Sequence, residues 1–553
     1  MRTIGRSNMI NIRFNDSVVQ FEPGVTLEDV KNHLGVVAYA ATVNNRIREL
    51  TYKLTKDCDV VFFDLSNRDA VRIYEASLRY VIAMAVKNIY PEVTVKFNYS
   101  VSRSILGVLE NLGHKIDRPT VKKIEAEVRR LVSLDLPIKR KKMDLEDAIA
   151  YYKEVGYHDK VEVLKYRDEE DVNMYICGDY VNYMFGYMVP STSYLTEFVL
   201  ALYHPGFIIQ YPRSEMGGII PEFDDAPIFA KTIKEATKWG KIIEGDTIAK
   251  MNSYVERKLE AEFINMCETR HNRQLTDLGD RIEKEIDSIR LIAIAGPSSS
   301  GKTTFSTRLR IELLSRGIKP LMISIDDYYQ PKTQAPKDEF GAPDLEHIEA
   351  LDVNLFDEQM LALIQGEKVT LPHFNFKVGQ REPGRTVQID ENTPIIIEGI
   401  HALNDRLTHS VPQHQKYKIF IAPQTQLHID DHTPISFTDL RLLRRIVRDQ
   451  KFRNSPAEET ISMWGSVRRG EFKWIYPYQE QANFVFNSEL SYELAVLRKH
   501  AFKTLNAIPR DSEYFITANR LLKFLKYFKE IDDELVPNNS LLREFIGGSV
   551  FHV

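Results

Sequence analysis

The segment that most constrains this chain is a short loop, GPSSSGKT at residues 296–303, which fits the pattern GxxxxGK[ST]. An apolar run at 291–295 precedes the loop, and a helix-like run at 304–314 follows it. Glycines let the backbone turn tightly, so successive N–H groups and the positive end of the next helix point at one anion. This context argues against an ordinary Gly/Ser loop and predicts a phosphate site between a strand and a helix.

The motif also assigns chemistry to individual side chains of the loop. Lys302 is expected to lie against the β- and γ-phosphates of a nucleotide, and the Thr303 hydroxyl is expected to ligate Mg²⁺. The sequence thus predicts ATP and Mg²⁺ as cofactors and Lys302 as a catalytic residue. The other predicted nucleotide contacts in the loop are Gly296, Ser298, Ser299, Ser300, Gly301 and Thr304.

Carboxylates follow two further strand-like runs. Asp326 and Asp327 come directly after the run at 321–325, and Glu398 ends the run at 394–398. Ligands of open α/β sheets lie outside the carboxyl ends of the strands, which would bring these groups to the phosphate loop. There, each group can hold Mg²⁺ or accept a proton from an attacking hydroxyl; the alternative is a loop or capping carboxylate.

An arginine-rich helix supplies the positive charge that phosphoryl transfer needs. In DLRLLRRIVRD at 439–449, Arg441, Arg444 and Arg445 recur at helical spacing, and Arg453 lies just beyond. Arginine forks match phosphate geometry, so such a helix can act as a lid over the migrating group. A solvated basic helix face is the alternative.

Length and composition limit the class of protein. A chain of 553 residues exceeds what one hydrophobic core usually serves, so several domains are expected. The formal charge of −5 gives no general reason to expect nucleic-acid binding. Three dispersed cysteines and the lack of an apolar leader or a long apolar span predict a cytoplasmic protein without membrane segments.

The pattern along the chain divides it into five regions. Strand-like and helical runs alternate from 289 to 500, which is typical of a parallel sheet wound with helices. The basic cluster KRKK at 139–142 is either a contact for RNA or acidic lipid or a solvated loop before a helix that begins near Asp144. His271 is interpreted as a surface or packing histidine rather than a catalytic one. The predicted regions are a small α+β module at 1–65, a second α+β domain at 66–213, a helical connector at 214–288, the wound α/β domain at 289–500 and a helical extension at 501–553.

The region from about 289 to 490 resembles the uridine kinase and phosphoribulokinase group of P-loop kinases. Besides the phosphate loop, IDDYY at 325–329 resembles the D-x-[FY]-Y segment of that group, and FGAPD at 340–344 resembles its Pro-Asp turn. IIEGI at 396–400 and the arginine helix at 441–449 match its acidic strand end and its R-L-x-R-R-x-x-R-D helix. The order and spacing of these segments agree over about 200 residues.

The resemblance implies a role for each matching residue. Asp326 is expected to be the general base on a nucleoside 5′-hydroxyl and a possible metal neighbour, while Thr303 and Glu398 serve Mg²⁺. Asp344 and Arg441 are expected to hold the ribose, and Tyr329 to lie near the base. The remaining implied roles are phosphate contacts for Arg444, Arg445 and Arg453, with Arg444 counted as catalytic, and acceptor contacts for Phe374 and Phe376.

One segment departs from the pyrimidine kinases. Where they carry P-x-Y-D-F-x-x-H, this chain has PHFNFKVG at 372–379, so Phe374, Asn375 and Gly379 replace Tyr, Asp and His. Loss of base-reading hydrogen bonds can relax or redirect specificity. Uridine is the favoured acceptor, and another nucleoside or a small sugar alcohol is the alternative.

The N-terminal half resembles threonyl-tRNA synthetase. Residues 9–65 look like its ubiquitin-like TGS module, and residues 66–212 look like its editing domain. The editing motifs H-x-x-x-H and C-x-x-x-H are replaced by Tyr74, Leu78, Cys177 and Val181. One thiol cannot make a zinc site that needs three or four ligands, so no tRNA editing and no structural zinc are expected.

The resemblance leaves the role of the N-terminal half open. A shape retained without its chemistry fits binding of RNA or a nucleotide, and a spacer or homo-oligomerisation domain fits as well. A nucleotide-sensing regulator associated with RNA or the ribosome is therefore the alternative to an enzyme. A sensor needs no general base, so replacement of Asp326 distinguishes the sensor hypothesis from the enzyme hypothesis.

Overall fold

The computed structural model describes residues 9–331, 333–338, 341, 343–375 and 378–551. Phe376, a predicted acceptor contact, lies outside these residues, as do Phe340 and Ala342 of the predicted Pro-Asp segment. Within them the chain is a multidomain α/β protein with a parallel sheet and many helices. No helix in the described part of the chain is long and apolar enough to cross a membrane.

The N-terminal sheet has the order β2-β1-β7-β4-β5, in which β1 and β7 are parallel and the other pairs are antiparallel. The helix packs Leu27 and Val30 against the sheet. A capping box begins the helix, in which the Asp29 N–H donates to Thr26 Oγ1 and the Thr26 N–H donates to Asp29, each at 3.1 Å. The elements are β1 (Ile10–Phe14), β2 (Ser17–Phe21), β3 (Val25–Thr26), α1 (Leu27–Leu34), β4 (Ala40–Val43), β5 (Arg46–Arg48), β6 (Lys53–Leu54) and β7 (Cys58–Phe63).

The next region surrounds one long helix with two antiparallel sheets, ordered β10-β11-β12 and β13-β14-β9-β8. Every residue of the helix from Ile73 to Val86 is buried, so the helix forms the centre of this region. Its elements are α2 (Arg68–Ile89), β8 (Thr94–Tyr99), β9 (Ile105–Glu110), α3 (Arg118–Ser133), β10 (Lys139–Asp144), α4 (Leu145–Val155), α5 (His158–Leu164), β11 (Asp171–Cys177), β12 (Tyr180–Tyr183), β13 (Val199–Tyr203) and β14 (Gly206–Gln210).

The basic cluster at 139–142 is a strand, and its interpretation as a loop was wrong. β10 pairs with β11 over its whole length and lies at the edge of its sheet. Pairing with the apolar strand β11 overrides the weak strand propensity of lysine. Exposed lysines on an edge strand also oppose further strand pairing.

Three helices link this region to the parallel sheet: α6 (Pro227–Ile242), α7 (Ile248–Glu256) and α8 (Glu260–Lys284). α8 inserts Phe263 and Leu278 into the same apolar core as Ile292 of the sheet. His271 on α8 is buried, and its Nε2 donates to the Glu489 carbonyl at 2.9 Å, as expected of a packing histidine.

The C-terminal half contains a five-stranded parallel sheet of order β16-β19-β15-β20-β23, with apolar cores on both faces. The predicted strands at 291–295, 321–325 and 394–398 are present within about one residue of those bounds, whereas the edge strand at Phe484–Asn487 was missed. The elements are β15 (Leu291–Ala295), α9 (Lys302–Ser315), β16 (Leu321–Ser324), α10 (Val353–Ile364), β17 (Val369–Asn375), β18 (Gln380–Val387), β19 (Ile395–Glu398), β20 (Lys416–Ala422), β21 (His428–Asp430), β22 (Thr433–Pro434), α11 (Phe437–Arg453), α12 (Ala457–Trp474), β23 (Phe484–Asn487), α13 (Glu493–Asn506), α14 (Phe515–Leu525) and α15 (Arg543–Ile546).

The small hairpin β21–β22 joins the two halves of the chain. Lys160 on α5 forms a fully buried ion pair with Asp430, with Nζ and Oδ2 2.8 Å apart. The Phe97 N–H of β8 donates to the Asp431 carbonyl at 2.8 Å, and Lys96 lies 3.3 Å from the Asp431 carboxylate. Separation of the two halves would leave these buried charges without partners, which is costly. The contacts therefore fix how the two halves pack against each other.

Candidate active site

The loop at 296–303 connects β15 to α9 at the carboxyl end of the sheet. A Cβ atom on Gly296 would collide with the carbonyl oxygen of Ile421 on the next strand, so only glycine fits there. Ser299 and Gly301 adopt left-handed backbone conformations with φ of 58° and 90°. These turns direct the N–H groups of the loop toward one point in front of α9, which is the geometry of an anion site.

Several polar groups of the loop fit phosphate or a hydrated metal ion. The hydroxyl oxygens of Ser299, Ser300 and Thr304 are buried and find no hydrogen-bond partner among the described residues. Such groups normally have partners, so their convergence supports a polar ligand. Lys302 Nζ donates to the carbonyls of Gly296 and Pro297, at 3.0 and 3.3 Å.

Two carboxylates end neighbouring strands beside Lys302. Ser324 and Glu398 are paired residues of β16 and β19, and the Ser324 hydroxyl donates to Glu398 at 3.4 Å. Burial and then the nearby Asp326 charge raise the pKa of Glu398 to about 7, while Lys302 opposes the shift. Desolvation by the surrounding protein also raises the pKa of Asp326, although its side chain remains accessible. Two neighbouring carboxylates with raised pKa values form a pocket suited to a cation.

The adjacent Asp327 is engaged elsewhere. Its Oδ1 accepts from the Phe374 N–H and lies next to His373 Nδ1, both at 3.1 Å. Asp327 therefore fastens the β17–β18 hairpin, whereas Asp326 feels the charges of Lys302 and Arg453.

The arginines of α11 fall into two groups. Arg441 and Arg444 are fully buried, which excludes a solvated face for them, and their side chains donate to carbonyls of the phosphate loop. Arg441 Nε donates to the Ser298 carbonyl at 2.9 Å, and Arg444 Nη1 to that of Ser299 at 3.3 Å. Both pair with buried carboxylates, Arg441 with Glu471 and Arg444 with Glu493. These two side chains therefore stabilise the phosphate loop through its carbonyl groups, on the side that faces α11.

Arg445 and Arg453 lie closer to the open side of the loop. Arg445 Nη1 donates to the Ser298 hydroxyl at 2.9 Å, and its Nε lies 3.2 Å from Asp449. Arg453 lies 3.7 Å from the same carboxylate, with 59% of its side chain exposed. Asp449 thus gathers both guanidinium groups beside the loop, where they can reach a phosphate.

The predicted acceptor residues lie together near Asp326. The rings of Tyr329 and Phe374 have centroids 6.0 Å apart, and Asp326 and Asp344 both act electrostatically on the Tyr329 hydroxyl. The Tyr329 hydroxyl donates to the Leu345 carbonyl at 3.2 Å. Arg441 is the exception, because its guanidinium is directed at Glu471 and the phosphate loop.

Glu346 is a site residue that the sequence reasoning missed. Burial raises the pKa of its carboxyl to about 7, while Arg445 and Lys302 oppose the shift and Asp326 adds to it. The residue stands two positions after Asp344, within an acidic stretch that looks like an ordinary solvated turn. Among the described residues no three His, Cys, Asp or Glu side chains form a metal cluster, so a cation here would depend on Thr303, Glu398, Asp326 and phosphate oxygens, the ligand type that Mg²⁺ favours.

The positions that correspond to the editing motifs are packed. Tyr74, Leu78 and Cys177 are buried in one apolar cluster. The Tyr74 hydroxyl donates to the Glu197 carbonyl at 2.8 Å, and burial raises the pKa of Cys177 to about 11. A buried, protonated thiol among apolar side chains is inert.

Residues 291–494 match the Phosphoribulokinase / Uridine kinase family. The uridine kinase of Ureaplasma parvum serovar 3 is 30% identical over 194 residues, which are 35% of this chain and 85% of that protein. The chain belongs to this family. Its threonine–tRNA ligase relatives match the N-terminal half instead, for example the protein of Geobacillus kaustophilus, 29% identical over 199 residues. This match covers 35% of the present chain, which spans only 30% of the ligase.

Solved structures of related kinases were also found. The structure of a possible uridine kinase from Bacillus stearothermophilus is 19% identical, with a TM-score of 0.25, and the match covers 38% of this chain and all of that one. A TM-score this low adds nothing to the assignment of the family, which depends on the sequence match.

This member of the phosphoribulokinase/uridine kinase family has a C-terminal segment seated on its phosphate loop. The Thr304 N–H donates to Glu544 Oε2 at 3.1 Å, and Leu541 packs against Gly301. The backbone N–H groups of such a loop are the donors for nucleotide phosphates. The Glu544 carboxylate therefore stands where a phosphate oxygen would be bound.

Glu544→Gln is expected to lower the KM for ATP by about 5-fold, because one negative charge near the phosphates is worth roughly 1 kcal/mol or more. Initial rates at varied ATP and saturating acceptor measure the effect. Glu534→Gln, an exposed change in the same segment, is the matched control and should leave the KM unchanged. A higher KM in Glu544→Gln would show instead that the carboxylate assists nucleotide binding.

Proposed function

We propose that this protein phosphorylates a ribonucleoside at the expense of ATP, with uridine as the favoured acceptor and UMP as the product. The observation that carries the proposal is the meeting of Asp326 and Glu398, at the ends of adjacent strands, with Lys302 of the phosphate loop. Family membership supports a phosphotransferase with an alcohol acceptor. The identity of the acceptor is the part that the proposal adds.

In the proposed reaction the acceptor 5′-oxygen attacks the γ-phosphorus while the bond to the β,γ-bridging oxygen breaks and ADP leaves. Asp326 accepts the hydroxyl proton, and Lys302 with Arg445 and Arg453 offsets the charge on the phosphoryl oxygens. Thr303 and Glu398 would hold Mg²⁺, which when bound neutralises charge on the phosphates. Arg441 and Arg444 keep the loop carbonyls in place, so their contribution is positional.

The alternative acceptor is another nucleoside or a small sugar alcohol. Asn375 supports it, because its side-chain amide donates to Glu382 of the opposite strand at 3.0 Å. An amide held by the hairpin offers a base different hydrogen bonds from those of the Asp in pyrimidine kinases.

We expect uridine to stimulate release of ADP from Mg-ATP and to yield UMP. The experiment is a coupled ADP-release assay with a panel of nucleosides and sugar alcohols, with the mass of each product measured directly. Lys302→Ala provides the background rate. Turnover of only a different alcohol would support the proposed phosphoryl transfer but contradict uridine as the acceptor. ATP binding without acceptor-dependent turnover would favour a nucleotide sensor.

We also propose the division of the chain into regions 1–65, 66–213, 214–288, 289–500 and 501–553. The separate sheets before residue 211 and the parallel sheet from residue 291 support it. The first two regions would act as a binding or regulatory part, since their editing positions are filled with packed side chains.

A further inference from the structure

A cavity of about 1230 Å³ lies between the N-terminal half and the kinase half. Its walls come from α2, the β8–β9 turn and the loops around 166–187 and 211–224 on one side, and from α11, α12 and α14 on the other. The cavity reaches Pro297 of the phosphate loop, but its lining does not include Lys302, Asp326 or Glu398. A volume of this size accepts a whole nucleotide-sized ligand, whereas a single inorganic anion would fill a small part of it.

One end of the cavity is rich in arginine. Arg72 and Arg520 both contact Asp439, with Arg72 Nη2 3.5 Å from Asp439 Oδ1, and Arg72 also pairs with Asp69 at 2.7 Å. Arg441 and Arg468 share the carboxylate of Glu471, at 3.1 and 2.5 Å. Two guanidinium groups that share the one carboxylate of Glu471 leave a local excess of positive charge.

Arg68 adds one more positive charge to this end. It lines the cavity and keeps part of its surface exposed, and no hydrogen bond or ion pair links it to any described residue. Burial, and then repulsion from Arg72, Arg520 and Arg468, lower its pKa well below the ordinary arginine value, although the charge of Asp439 opposes the shift. A folded chain rarely gathers guanidinium groups without an anion to share them, because each costs several kcal/mol to desolvate.

The lowered pKa values of two neighbouring groups, Asp439 and Tyr476, indicate the same positive potential. Although burial opposes the shift, Arg520, Arg72 and Arg68 hold the pKa of Asp439 at about 2. Burial likewise raises the pKa of the Tyr476 hydroxyl, but Arg468 and Arg441 bring it below its ordinary value. Asp439 and Tyr476 are on different helices, so the positive potential extends across this end of the cavity.

The lining also includes several aromatic side chains, beside carboxylates such as Glu75, Asp171 and Glu215. Tyr99, Phe185, Tyr187 and Tyr211 contribute to the wall on the N-terminal side. On the kinase side, the ring of Phe472 lies between the guanidinium groups of Arg103 and Arg468, at 3.9 and 4.5 Å from its centroid. Aromatic and guanidinium planes are the surfaces on which nucleobases stack.

The geometry points to a second nucleotide site in this cavity, with the phosphate held by Arg68, Arg72 and Arg520 and the base against the aromatic wall. Arginine is suited to the phosphate because its N–H groups match phosphate oxygens in pairs. A cavity walled by both halves of one chain favours a mononucleotide over a single-stranded nucleic acid, which needs a continuous open groove. The proposed phosphate contacts Arg68, Arg72 and Arg520 are not residues of the phosphate loop, so the site does not depend on the proposed uridine kinase activity.

A ligand at this site would be linked to the kinase loop by a short path. Asp439 and Arg441 are two residues apart near the start of α11, and Arg441 donates to the Ser298 carbonyl of the loop. An anion that draws Arg72 and Arg520 away from Asp439 would therefore shift the position of α11 and of the phosphate loop that α11 contacts.

The test is titration calorimetry on the full chain with its phosphate loop first saturated with a non-hydrolysable ATP analogue and Mg²⁺. UMP, AMP and pyrophosphate are the probes. We expect a nucleotide to bind with one-to-one stoichiometry, and Arg68→Gln to weaken its binding by about 10-fold, the effect of losing one charge-assisted contact. Arg273→Gln, an exposed change on α8, should leave binding unchanged.

Absence of binding to the saturated wild-type chain would overturn the proposal, as would equal affinities of wild type and Arg68→Gln. Pyrophosphate that binds as tightly as UMP and AMP would overturn the assignment to a nucleotide. Binding of a single-stranded oligonucleotide but of neither mononucleotide would replace it with an RNA site. A crystal structure of the wild-type chain with UMP gives a second measure that needs no variant: nucleotide density beside Arg68 supports the site, and density confined to the phosphate loop contradicts it.

Discussion

Asp326→Asn should lower kcat by about 10²-fold or more while it leaves the dissociation constant for ATP within about 2-fold. The carboxylate lies two residues after β16, within reach of the Lys302 charge, and desolvation by the surrounding protein raises its pKa. Asparagine keeps the size of the side chain and loses the ability to accept a proton. Steady-state rates with the best acceptor measure kcat, and calorimetric titration with a non-hydrolysable ATP analogue measures the affinity.

Asp327→Asn is the matched control, since it makes the same change one residue along. The carboxylate of Asp327 accepts from the Phe374 N–H and fastens the hairpin, and an asparagine oxygen can keep that contact. We expect kcat of this variant to fall by less than about 5-fold. Equal losses of kcat in both variants would show that Asp326 is not the general base. If the wild-type protein shows no turnover and Asp326→Asn keeps ATP binding and regulation, the protein is a nucleotide sensor.

The phosphate loop and the sheet around it could be predicted because their signals are local. A continuous apolar run such as Leu291–Ala295 followed by GxxxxGK[ST] specifies a buried strand, a turn and a helix within about 25 residues. The missed strand Phe484–Asn487 shows the limit of this reasoning. A run of four residues at the edge of a sheet has too little length to distinguish a strand from a short piece of helix.

The contacts of the site that could not be predicted join distant parts of the chain. Glu544 meets Thr304 across 240 residues, and no local pattern pairs them. The basic spacing on α11 likewise predicts one face, whereas the structure buries Arg441 and Arg444 and leaves Arg453 largely exposed. Partners that bury an arginine, here Glu471 and Glu493, come from other helices, so the sequence of α11 alone gives no sign of them.

Glu493→Ala should cost about 3–5 kcal/mol of stability, since it leaves the Arg444 guanidinium buried without a counterion. The two carboxylate oxygens of Glu493 lie 2.5 and 2.8 Å from Arg444, and both side chains are almost wholly excluded from solvent. The remaining partners of the guanidinium are neutral carbonyls, among them that of Ser488 at 2.8 Å. The midpoint of thermal unfolding and the denaturant midpoint of the transition that includes the parallel sheet measure the loss.

Two further variants separate a buried ion pair from simple loss of packing. Arg444→Met combined with Glu493→Leu removes both charges and should recover most of the stability, because well-packed apolar residues can replace a buried pair. Glu162→Ala breaks the exposed pair with Lys165 and should change stability by no more than about 0.5 kcal/mol. A double variant as unstable as Glu493→Ala would contradict the uncompensated charge as the cause. If the double variant is stable but has lost turnover, then Arg444 serves the phosphate loop through its contact with the Ser299 carbonyl rather than the fold as a whole.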